Sequence, residues 1–132
     1  MFLIIKSPNY QITKFAFIFM NKKSEIHITV ELNENNLPVK MNWTSTENNE
    51  GGDCKSFFLA LWDTKEQTSL HLNLWTKDMN VEEMRQFIHQ MLLNQSDTLK
   101  KATGDEPLAA SLYDYSHEYA IKSGILKMPT KS

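Results

Sequence analysis

SLHLNLWTKDMNVEEMRQFIHQML, residues 69–92, changes its hydrophobic period midway. Leu70, Leu72 and Leu74 alternate with Ser69, His71 and Asn73, the period of two expected of a strand with one apolar face. Beyond Asn80 the apolar residues are Val81, Met84, Phe87, Ile88, Met91 and Leu92, spaced three and four apart as on one side of a helix. Asn80 and Glu83 have the spacing of a capping box, and Met79 is placed to pack against Met84. Acids in the first turn and Lys100-Lys101 at the far end both suit the helix dipole. A strand is therefore followed directly by a long helix.

Downstream, Thr103, Asp105 and Pro107 restart the chain into a last helix with the stripe Leu108, Leu112, Tyr115 and Tyr119, and Gly124 ends it. Upstream, Ile26, Ile28, Val30 and Leu32 alternate with polar residues, which gives the clearest strand. The run Asn33 to Asn36 turns the chain, and Val39, Met41 and Trp43 make a hairpin partner that begins at Pro38, where a missing N–H is tolerated. Thr44 to Asp53 is polar, ends in Gly51-Gly52 and has no period, so it reads as a loop. Cys54, Phe57, Phe58, Leu61 and Trp62 fit a short helix capped by Asp53, but Phe57, Leu59 and Leu61 also alternate. The helix is the favoured reading and a strand stays open. Strands first and helices last make an α+β domain: a small antiparallel sheet of three to four strands, packed by two C-terminal helices, with the short helix at 54–62.

The chain has 132 residues, 41% of them hydrophobic and 23% charged, enough for one core and unlike a disordered segment. Its net charge of −2 supplies no basic face for nucleic acid. The single cysteine, Cys54, gives no internal disulfide, which fits a cytoplasmic protein. The clusters Phe2–Ile5 and Phe15–Phe19 are too short and too divided for a signal peptide or a membrane span. Residues 1–19 are read as an extension before a working start at Met20, residues 20–126 as the domain and residues 127–132 as a flexible tail.

Each candidate for chemistry has a structural explanation. Cys54 lies on the apolar side of its own element, without an activating pattern. His27, His71, His89 and His117 are spread one per element and lack metal-ligand spacing. Glu82 and Glu83 are accounted for at a helix N-terminus. No phosphate loop, nucleophile elbow or dinucleotide fingerprint occurs. The sequence thus predicts no catalytic residue, metal or cofactor. What stands out is Trp75, which with His71 and Asn73 should project from the strand face opposite the leucines; exposed tryptophan often marks a protein contact. Trp62 and Met41 are expected in the core.

Leu61-Trp62-Asp63, Leu70 through Met79, Val81-Glu82-Glu83-Met84, Phe87-Ile88-His89-Gln90 and Ala102-Thr103 resemble the gliding motility protein GldC family, and the likeness extends back to the first strand, over most of residues 20–126. The resemblance implies a soluble accessory protein of bacterial surface gliding that works beside motility and secretion machinery, and it carries over no catalytic residues. The expectation is a non-enzymatic protein that binds a partner of that machinery through His71, Asn73 and Trp75, with homo-oligomerisation left open. The alternative is a small-ligand carrier whose apolar pocket lies between sheet and helices, lined by Met84, Phe87, Ile88 and Tyr115.

Overall fold

The computed structural model describes residues 21–127, and the reading of residues 1–19 as an extension lies outside them. The chain divides into a strand unit that ends at Asp78 and a helical unit that begins at Met79.

The strand unit holds two antiparallel sheets. In the first, β1 (Ile26–Leu32) pairs with β2 (Pro38–Ser45), which pairs in turn with β3 (Glu50–Cys54). In the second, β4 (Ser56–Asp63) pairs with β5 (Thr68–Trp75). Met41, on the central strand, lies opposite Val30 on one side and Cys54 on the other, and only 1% of it is exposed. Its long unbranched side chain fills this position as expected of a core methionine.

Two of the expected elements need correction. The polar stretch read as a loop contains β3, an edge strand made of Glu-Gly-Gly-Asp-Cys. Such a strand has no apolar alternation because its stability comes from backbone pairing with β2. Asn49, at φ 51°, closes the turn before it. The segment 54–62 is a strand over Ser56–Asp63, not a helix, and Asp53 belongs to β3. Phe57, Leu59 and Leu61 lie opposite Leu74, Leu72 and Leu70, so the alternation carried the information and the helical spacing was a coincidence of apolar residues on both faces.

Gly51 has a specific reason to be glycine. A Cβ there would sit 2.6 Å from the carbonyl oxygen of Trp43, whereas one on Gly52 would meet nothing nearer than 3.9 Å.

In the helical unit, α1 (Val81–Thr103) carries the expected capping box: the Glu83 N–H donates to Asn80 Oδ1 at 2.8 Å, and the Asn80 N–H donates to Glu83 Oε2 at 3.0 Å. Gly104, at φ 73°, ends it in the left-handed conformation, with its N–H on the carbonyl of Lys100. Asp105 caps α2 (Glu106–Lys122) through the Leu108 N–H. The buried positions are the small residues Ser96, Ala109, Ser116 and Ala120, and the Ser96 hydroxyl donates to the Ala109 carbonyl at 2.7 Å. The expected large stripe of α2 is not buried: Leu108 and Tyr115 are exposed. Small residues on one side of α2 let the two backbones approach, so its large residues lie elsewhere on its surface. His89 is half-buried and stacks on Tyr119 with ring centroids 6.2 Å apart.

Gly51→Ala should lower the thermal unfolding midpoint by several degrees, since forced overpacking costs about 1–3 kcal/mol. Gly52→Ala should leave it nearly unchanged; differential scanning calorimetry of the two variants is the check.

Candidate functional site

Pairing with β4 places Ser56, Phe58 and Ala60 opposite Trp75, Asn73 and His71. Because side chains directly opposite share a face, all six stand on the side of the hairpin away from the leucines. The three residues singled out from sequence are exposed, and Trp75 is 55% so. The Ser69 hydroxyl and His71 Nε2 are hydrogen-bonded at 2.5 Å, which orients the imidazole along the strand. Trp62, expected in the core, lies near the far end of the same face and is 70% exposed, because its neighbours Ser69 and Asp63 stand beside the turn. His27 and His71 are not strand neighbours: they lie in different sheets.

Asn73 and Trp75 line a mainly apolar concavity of about 360 Å³ together with Leu37, Pro38, Leu74, Thr76 and Lys77. Leu37 and Pro38 arrive from the turn between β1 and β2, which is built around one side chain. Asn33 Oδ1 accepts from the N–H groups of Asn35 and Leu37, its carbonyl accepts from Asn36, and Asn36 adopts φ 59°. This Asx-type turn fixes where Leu37 meets the second sheet. Sequence reading found the turn and the strand but not the meeting.

Thr76, 2% exposed, anchors the end of β5. Its N–H donates to the Lys55 carbonyl at 2.8 Å, and its hydroxyl lies 3.3 Å from the same oxygen and 2.5 Å from Asp78 Oδ1. The hydroxyl's hydrogen bond, aided by a backbone N–H and by Lys55 nearby, holds the Asp78 carboxyl below its ordinary range.

Next to this anchor a more polar concavity of about 340 Å³ gathers Lys40, Asp53, Cys54, Lys55 and Asp78. Burial, with Asp53 beside it, pushes the Cys54 thiol up, the opposite of what a nucleophile or metal ligand needs. Among the described residues no group of three or more His, Cys, Asp or Glu side chains could hold a metal ion. On the helical unit, Tyr115 lines a concavity of about 280 Å³ with Arg85, Glu118, Tyr119, Lys122 and Ser123. Glu118 accepts from Lys122 at 2.5 Å and raises the lysine's affinity for its proton.

The match that decides the family spans residues 38–125, two thirds of the chain, and is to the model described as "Gliding motility-associated protein GldC-like". The chain belongs to this GldC-like family. The matched region takes in β2 through α2 and leaves β1 outside, so it is shorter than the resemblance over residues 20–126 suggested. No curated protein and no solved structure matches the chain. In this GldC-like chain no described helix is long and apolar enough to cross a membrane.

With its thiol proton held, Cys54 should react with iodoacetamide at pH 7.4 more slowly than free cysteine, and its rate should still be rising with pH where that of an ordinary thiol levels off. Mass spectrometry of the time course reads this.

Proposed function

We propose that this GldC-like protein is a non-catalytic, cytoplasmic component of bacterial gliding motility that binds another protein of the gliding or associated secretion machinery. The binding surface is the face of β5 that carries His71, Asn73 and Trp75, with the concavity formed by Leu37 and Pro38. The observation that supports this most is an indole 55% exposed beside an apolar hollow, on a strand whose other face already supplies the leucines. Tryptophan at the edge of a desolvated pocket is the residue type on which binding energy concentrates. A raised thiol and carboxylates occupied in caps and ion pairs argue against catalysis, since a reacting group needs a pKa matched to its task.

The test is complementation. In a gliding bacterium whose own copy has been deleted, the wild-type chain should restore colony spreading. The His71→Ala, Trp75→Ala double variant should not, although its circular dichroism and unfolding midpoint match the wild type. Normal spreading by the folded variant overturns the assignment of this face.

A further inference from the structure

The register of the β4–β5 hairpin determines where the backbone of β5 points. Thr76 donates its N–H to Lys55, in line with the pairing of Trp75 with Ser56. Pairs alternate between hydrogen-bonded and non-hydrogen-bonded along an antiparallel ladder. Leu74, Leu72 and Leu70 therefore bond to Phe57, Leu59 and Leu61. The N–H and C=O groups of Ser69, His71, Asn73 and Trp75 face the other way, toward the outer edge of β5. The sheet has two strands, and among the described residues no strand pairs with that edge. The residues whose side chains form the candidate face are thus the ones whose backbone groups no described strand pairs. The edge also lacks the usual protections, as no proline, lysine or bulge interrupts Thr68–Trp75.

A two-stranded sheet is marginal by itself and gains independent stability from a third strand. The hollow at the C-terminal end of β5 offers an apolar floor in Leu37, Pro38 and Trp75, and among the described residues Lys77 is the one charged group that lines it. No described carboxylate pairs with Lys77.

We infer that β5 is a strand-addition site. Resting on the function proposed above, the inference names the form of the partner: an extended segment of another protein that adds as a third strand along Ser69–Trp75. Its backbone takes up the outward N–H and C=O groups. One apolar side chain of the segment enters the hollow, and an acidic one lies against Lys77. Peptide-backbone bonds supply the affinity, and the hollow and its lysine supply the selectivity.

Asn73→Pro tests this. The Asn73 N–H points outward, so proline costs no bond to β4 but removes a donor and adds bulk on the edge. The variant should fold with an unchanged circular dichroism spectrum and fail to restore spreading. Asn73→Ala, which removes the side chain but keeps the edge, should impair spreading less than Asn73→Pro does. If a folded Asn73→Pro protein supports spreading while the His71→Ala, Trp75→Ala variant does not, the face is right and strand addition is wrong. If both support it, the reading of the face falls as well.

Amide hydrogen exchange on the full chain decides the matter even where the proline variant does not fold. In the free protein Leu70, Leu72 and Leu74 should be protected, and Ser69, His71, Asn73 and Trp75 should exchange fast. A capped peptide of Thr, Val, Leu, Val, Glu and Thr should slow those four amides by about tenfold or more. A counterpart with lysine for glutamate should do so less. Absence of selective slowing overturns the inference. Slowing that grows with protein concentration and without peptide also overturns it, by assigning the edge to a second copy of the chain.

Discussion

The hydrogen bond from the Thr76 N–H to the Lys55 carbonyl, 2.8 Å long, is the contact on which the strand unit turns. Lys55 separates β3 from β4, the point where the chain leaves one sheet for the other. Closing the ladder there keeps β5 in phase with β4, and the phase decides which face each side chain occupies. A slip of one residue would exchange the leucines with His71, Asn73 and Trp75. The Thr76 hydroxyl, on a residue only 2% exposed, donates to the exposed Asp78 carboxylate, so the buried donor beside this bond is satisfied.

The resulting hairpin is apolar on both faces. One carries Phe57, Leu59, Leu61, Leu70, Leu72 and Leu74, the other Phe58, Trp62 and Trp75 among small or polar neighbours. Leu61, Leu70 and Leu72 are each about half exposed, as is Trp75. An element of this kind is neither a core strand nor a half-solvated one, which is why its first strand resisted reading from sequence. Where apolar residues fill both faces, periods of two and of 3.6 fit equally well.

Much of the rest was legible. β1, β5 and the capping box of α1 each carry a local signal: strict alternation in two cases, and Asn80 with Glu83 in the third. β3 was not legible, because glycines that admit a close carbonyl look the same in sequence as glycines that allow a flexible loop. The candidate site was half legible. His71, Asn73 and Trp75 follow from alternation alone, but Leu37 and Pro38 reach the hollow through the Asn33 turn, a tertiary meeting with no counterpart in the local pattern. Trp62 was misplaced because a large indole is assigned to the interior by default, although it stands beside a solvated turn.

The Ser96 hydroxyl has a consequence for the helical unit. A seam of alanines and serines is smooth, and smooth seams allow one helix to slide along another at little cost in packing. Ser96 has a single partner, the Ala109 carbonyl, at a point where neither group is open to water. Sliding by a turn would leave a buried donor and acceptor without each other, a penalty that apolar contact alone does not impose. One buried hydroxyl thus acts as an index mark, giving a low-relief interface a single longitudinal setting.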